Sequence, residues 1–412
     1  MKKVLKVVMI TALSLMVVCT FALFGCTQEA AETTAAETTA AETTAAAETT
    51  AAASNEVDPW IIEMREGLDP YRGDINYTGE YGATPTWDTE LVLTVAEVEQ
   101  ISQGNPETGE PWKVGYVMDA SAGDHTNSLL LGMTDVLAHL NMELIGTVDP
   151  QFDPAKELAG VENFIAAGAD IVIGAPIDAT ASAESFQPVL DAGKKLVIWS
   201  NIPKGYEYGT DYVGVSSAMA EDLGVFSVEI MKKDITENTE VAYFYFDQSF
   251  WVVNLIDDMV KQALEADPNF TVVEELGYGK EADCTDLMTA ALSRHPNIKR
   301  VYGGWNVPAQ FAAEGAKSLG RDDVKVATFG VDEPTLISIL EGGNIFGTVS
   351  DDPYHLGANL ALLAVFGAIN KTAPEFTITP AVPITDENIE EAWGITQKTV
   401  LPESVQAALD AQ

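Results

Sequence analysis

From Trp112 onward, short apolar runs rich in β-branched residues alternate with amphipathic stretches. The runs are Lys113–Met118, Asp170–Gly174, Lys195–Trp199, Tyr212–Val215, Val241–Phe246, Thr271–Leu276, Arg300–Tyr302, Val324–Phe329 and Ile345–Ser350. Continuous apolar runs such as Ile171-Val172-Ile173 suit strands buried on both faces, as parallel strands are. The intervening stretches carry helical periodicity, most cleanly from Pro154 to Ala167. Asp153 caps this stretch, Pro154 fits its first turn, Leu158, Val161 and Ile165 share one face, and Gly168 ends it. Strands alternating with helices predict an α/β fold of βαβ units, with too many strands for one small sheet and enough for two lobes.

Residues 54–111 break the pattern. Trp60, Tyr71, Tyr77, Tyr81 and Trp87 lie among Gly and Pro, and only Leu91–Glu99 is periodic, so this reads as an irregular arm with one or two short helices, wrapped on the main body. Ahead of it, Ala30 to Ala53 repeats Ala-Glu-Thr-Thr-Ala, with nothing that could build a core. As a flexible coil this tether would reach about 25–30 Å. At the start, Lys2, Lys3 and Lys6 precede the apolar run Val7–Phe24, which closes on Gly25-Cys26. A small residue before Cys at the end of such a run resembles the lipobox of bacterial lipoproteins. The resemblance implies a signal peptide over 1–25, lipidation at Cys26 and a lipid-anchored linker over 26–53.

The chain carries 63 acidic and 22 basic side chains, a formal net charge of −41. That balance opposes nucleic acid and anionic membrane surfaces, which Lys and Arg must neutralise. Three Cys exclude a disulfide scaffold. Cys284 reads as a small buried hydrophobe on a helix. The four His lack metal-ligand spacing, and neither a phosphate loop nor a nucleophile elbow is present, so no metal, cofactor or enzymatic activity is expected. The acid pairs Asp257-Asp258 and Asp322-Asp323 read as solvated surface.

In open parallel sheets, ligands bind beyond the carboxyl ends of the strands. The residues just past the apolar runs are Asp119, Asp178, Ser200-Asn201, Asp247, Trp305-Asn306, Asp332 and Asp351. Carboxylates and amides accept from hydroxyl groups, and an indole face stacks on a sugar ring. Taken singly, each Asp or Asn reads equally well as a helix cap. Together they suggest one polar cleft.

The stretch Asp153-Pro154-Ala155-Lys156-Glu157-Leu158, running on through Ile171-Val172-Ile173 to Pro176-Ile177-Asp178, resembles the type 1 solute-binding proteins of ABC transporters, in their ribose-binding-like branch. His295-Pro296-Asn297-Ile298, Gly330-Val331-Asp332 and Gly347-Thr348-Val349 with Asp351-Asp352-Pro353 extend the likeness over roughly Lys113 to Glu390. The resemblance implies two doubly wound parallel-sheet lobes joined by three crossings near Ser216, Asp352 and Pro380. One lobe would hold 112–217 with 353–379, the other 218–352 with 380–412. Carried over by position, the ligand contacts are Asp119, His125, Thr126, Asn201, Trp305, Asp332 and Asp351. Asn306 stands beside Trp305, and Trp251 reads equally as a stacking surface or a core residue. The family's Arg positions are empty of Arg here, which disfavours anionic ligands.

The expectation is a monomeric, lipid-anchored extracytoplasmic protein that hands a small solute, above all a monosaccharide or polyol, to an ABC permease. A nucleoside or amine binder, or a sensory receptor of the same fold, is the alternative.

Overall fold

The computed structural model describes residues 55–118 and 123–412. The signal and tether segments, with Cys26, lie outside the described residues, and so does Asp119. No helix among the described residues is long and apolar enough to cross a membrane.

Two sheets organise the body. The strands of the first are β1 (Pro85–Trp87), β2 (Lys113–Val117), β3 (Glu143–Val148), β4 (Ile171–Gly174), β5 (Lys195–Trp199), β6 (Val215–Ala218) and β12 (Phe376–Thr379). Their order is β1-β12-β6-β5-β4-β2-β3, parallel throughout. The second sheet holds β7 (Thr239–Phe246), β8 (Phe270–Tyr278), β9 (Arg300–Trp305), β10 (Lys325–Phe329), β11 (Ile345–Ser350) and β13 (Val382–Ile384). Its order is β13-β11-β10-β9-β7-β8, with β13 alone antiparallel. Helices fill the connections, as the alternating pattern requires. The helix Pro154–Ala166 starts where the sequence places it, with the Asp153 carboxylate accepting from Ala155 N at 2.9 Å. The run read at Tyr212–Val215 is displaced: the strand begins only at Val215.

The chain passes between the sheets three times: after β6, between β11 and the helix Pro353–Ala368, and between β12 and β13. At the second passage Asp352 adopts the left-handed region, φ 59°, which costs a non-glycine residue unless its surroundings hold it there.

All sixteen residues of Pro353–Ala368 are buried. A helix apolar on every side needs cover on every side. One flank packs on the helix Asp124–His139, where Gly357 and Gly132 allow close approach. A Cβ at Gly357 would lie 1.8 Å from the Leu129 carbonyl oxygen, and one at Gly132 would lie 1.9 Å from that of Tyr354. The 55–111 arm supplies further cover: its Ile61, Met64, Leu91, Leu93 and Ile101 share one buried cluster with Leu360 and Leu363. It forms the helices Pro59–Met64 and Val95–Ser102, the latter closed by a Thr94–Glu97 capping box, and adds β1 to the edge of the first sheet.

One surface assignment is overturned. Asp257 is 2 % exposed, accepting from Phe246 N at 2.8 Å and from the Tyr302 hydroxyl at 3.1 Å. A charged pair of neighbours in sequence reads as solvated, yet helix geometry turns Asp257 inward and Asp258 outward. Cys284 is buried and free, and burial pushes its thiol up to about 12.

Candidate functional site

The carboxyl ends of the two sheets face each other and touch. From the first sheet come Trp199, which ends β5, the turn Ser200-Asn201 after it, and His125 in the first turn of Asp124–His139. Ser200 takes φ 60°, which turns the chain sharply off the strand, and its hydroxyl pairs with that of Ser217 at 3.1 Å. From the second sheet come Phe246, the loop Asp247–Phe250, Trp305, Asn306, Asp332 and Asp351.

Several contacts cross the cleft. His125 Nε2 lies 2.9 Å from Asp351 Oδ2. Val252 N donates to Asn201 Oδ1 at 3.2 Å, and Glu333 N donates to Asp124 Oδ2 at 3.0 Å. The Phe250 ring meets Trp199 at 6.4 Å and, edge-on, Phe152 at 6.3 Å. These contacts describe a closed arrangement.

A cavity of about 160 Å³ lies at this junction, lined by Phe152, Ile177 and Asp178 on one side and Phe246, Gln248 and Phe250 on the other. A cavity of about 150 Å³ holds a single six-membered ring. No Lys or Arg lines it. Phe152 is 57 % exposed at its rim, carried by two successive left-handed residues, Gln151 and Phe152.

The predicted residues divide into groups. His125 joins Asp351 to Trp199: its Nε2 pairs with Asp351, and its ring meets the Trp199 indole edge-on at 6.3 Å; Asn201 follows two residues after Trp199. Trp305, Asn306 and Asp332 form a second group. Trp305 Nε1 donates to Glu281 at 3.1 Å, and its ring packs on Phe246 and Tyr278. Asp332 caps the helix Glu333–Leu340 by accepting from Thr335 N at 3.0 Å, and it also accepts from Asn306 at 2.6 Å and Gln310 at 2.8 Å. Both of its oxygens are therefore engaged within the protein. The Asn201 amide is engaged likewise, donating to the Pro176 carbonyl at 3.1 Å while bridging to Val252. Thr126 is buried within its helix. The Trp251 ring packs edge-on against Phe376 of β12 at 5.8 Å. None of these predicted contacts lines the cavity; of the residues just past the strands, Asp178 does.

Buried polar atoms without a protein partner mark where a ligand would be met, since leaving such an atom unmatched costs about 1–3 kcal/mol. Among the described residues around this junction they include Trp199 Nε1, a donor, Asp351 Oδ1 and Asp352 Oδ2, acceptors, and the Tyr278 hydroxyl. Trp199 is missed by reading only residues beyond each strand; the cue was a large aromatic as the last residue of an apolar run. Phe152 and Phe250 carry no comparable signal, because their roles depend on how the two halves meet. Asp257 supports this wall from behind by holding Phe246 N, and burial pushes its carboxyl up to about 7.

A family model described as "Periplasmic binding protein domain" matches residues 114–370. No curated protein matches the chain. Among solved structures, an ABC transporter solute-binding protein from Bacillus halodurans with bound myo-inositol is 23 % identical, with a TM-score of 0.60, covering 69 % of this chain and 97 % of its own. One from Agrobacterium vitis bound to α-D-tagatopyranose is 16 % identical, with a TM-score of 0.63, covering 71 % and 100 %. A periplasmic ribose ABC transporter protein from Conexibacter woesei is 16 % identical, with a TM-score of 0.62, covering 70 % and 98 %. At these identities the structures speak to the fold.

Proposed function

This chain belongs to the family of periplasmic binding protein domains, and on that premise we propose that it captures a neutral monosaccharide or polyol outside the cytoplasm and delivers it to an ABC permease. The observation that carries the reading is the cavity between the lobes, walled by Phe152, Phe246 and Phe250, with Asp178 and Gln248 as its polar groups and no Lys or Arg. A hydroxylated ring suits that lining: its hydroxyls pair with Asp178 and Gln248, and its C–H faces suit the Phe walls. An anionic ligand would meet Asp178 with no cation in the lining to offset it. The solved relatives with bound myo-inositol and tagatose support the same solute class.

The moving bodies in this reading are 112–217 with 353–379, and 218–352 with 380–412. Closure brings both sets of contacts onto the solute, so the solute stabilises the closed state by the contacts only that state makes. Asp351 and His125 are the polar anchors and Trp199 the donor. Asn201 and Asp332 hold the walls in place. The mature protein is lipidated at Cys26 and tethered by 26–53, acting as a monomer. A Cys26→Ser chain is expected to move from the membrane to the soluble fraction.

A thermal-shift screen against inositols, pentoses, hexoses and glycerol tests the reading, since a ligand that binds only the folded state raises its midpoint. A shift with one neutral polyhydroxyl compound is expected. A shift confined to nucleosides or polyamines would replace it. The nucleoside alternative draws on Phe152, Phe246 and Phe250, which could stack a planar substituent beside the polar pair.

A further inference from the structure

The arm lies outside the residues that the family model matches, which begin at Val114. Yet it touches all three passages between the lobes. At the first, the Tyr77 hydroxyl donates to the Ala218 carbonyl at 3.4 Å, and Asn76 N donates to the Glu221 carboxylate at 3.3 Å. At the second, His355 Nε2 donates to the Met64 carbonyl at 2.8 Å while its Nδ1 lies 2.7 Å from Asp352. At the third, β1 pairs along β12, Trp87 opposite Ile378, immediately before the chain crosses.

Its attachment to the two lobes is unequal. On the first lobe it is built in. β1 extends the sheet, Trp60 stacks on His139 at 4.4 Å, and Arg65 reaches Asn359 at 3.3 Å. Arg65 and Arg72 share the fully buried Asp88, which fixes 65–72 to the rest of the arm. A buried ion pair is expensive to break by removing one partner, so this part moves as one body with the first lobe. On the second lobe the contacts are fewer and shallower. Tyr71, half-buried, packs against the apolar cluster that contains Trp393, and the backbone at Gly67 lies against Ile395, where a Cβ would come within 3.3 Å.

We infer that the arm is a strap across the hinge: fixed to the first lobe, its 65–77 stretch holds the second lobe in the closed arrangement and sets the closing equilibrium from outside the cleft. Rotation of the lobes must change the contacts of Tyr71, Gly67 and Asn76 with the second lobe, while those with the first stay. Contacts made in one arrangement only add to its stability and shift its population. The inference rests on lobe closure and is independent of which solute is bound.

Hydrogen–deuterium exchange on the ligand-free full chain tests it. In Tyr71→Ala, the amides of 199–204 and 246–254, which meet across the cleft, are expected to exchange about fivefold faster or more. Strands β5 and β7 should keep their protection, and Tyr71→Phe, which retains the ring, should behave as the parent. Affinity for any solute found by screening should fall by a matching factor. Unchanged exchange, or an increase confined to 65–77 and 389–396, would overturn the strap and leave only local packing. Absence of a solute hit would count against the binding reading and not against the exchange result.

Discussion

In the proposed function, recognition turns on two single side chains, Trp199 and Asp351. Trp199→Phe keeps an aromatic ring between His125 and Phe250 and removes only the indole donor. A neutral hydrogen bond is worth about 1 kcal/mol, so calorimetry with the solute selected by screening should show about a fivefold loss of affinity. Asp351→Asn removes charge from the acceptor and from the contact with His125. Charge-assisted bonds are roughly twice as strong, and a loss of about ten- to hundredfold is expected. If both variants bound as the parent does, the site would lie elsewhere. Asp332 belongs to a different kind. Its oxygens serve Thr335, Asn306 and Gln310, so Asp332→Ala should lower stability by about 1–2 kcal/mol in denaturant titration, with any loss of binding following from wall disorder.

At the scale of elements, the packing of Asp124–His139 on Pro353–Ala368 fixes where His125 sits. Both helices come together through glycine, and a Cβ at Gly357 would collide with the Leu129 carbonyl. Gly357→Ala should therefore cost about 2–3 kcal/mol, read as a lowered denaturation midpoint, because backbone must move to admit the methyl group. The pattern of apolar runs located most of the strands, and the Asp153 cap located a helix within one residue. It did not find β3, a six-residue strand at the edge of the first sheet whose Glu143, Gly146 and Thr147 interrupt the apolar run, nor β1, β12 or β13. The last three are three or four residues long, and β1 owes its strand conformation to pairing with β12 and not to its own sequence.

For the whole molecule, charge and burial together set the pH response. Burial raises Asp257 and Glu80 to about 7 and Asp222 to about 6, all above their unfolded values. A carboxyl with a raised folded-state pKa binds more protons folded than unfolded, so stability falls as pH rises from about 4 to about 7. For Asp257, 2 % exposed, the effect is at most roughly 2–4 kcal/mol. Glu274 and Asp267, lowered by their hydrogen bonds to Arg294 and Lys232, act the opposite way, and their stabilisation is lost as pH falls below about 4. The net charge of −41 adds self-repulsion as carboxylates ionise. The melting temperature should thus be higher near pH 5 than at pH 7.5. Asp257→Asn should flatten that slope; an equal slope in parent and variant would show that Asp257 is not its source.

The sequence by itself determined the α/β class, because the alternation of apolar runs and 3.6-residue periodicity is local and survives without knowledge of neighbours. It also determined the acidic character and the absence of cations at the strand ends. Tertiary structure alone decided which polar groups remain available. Asp332, Asn201 and Asp351 look alike in sequence, each just past a strand. Two are engaged by protein donors or acceptors contributed from distant segments, and the third keeps an oxygen unpartnered. It likewise decided that Asp257 is buried, that Trp251 faces Phe376, and that the arm lies across the hinge. Each of these depends on contacts between residues far apart in the chain, and spacing along the sequence carries no record of them.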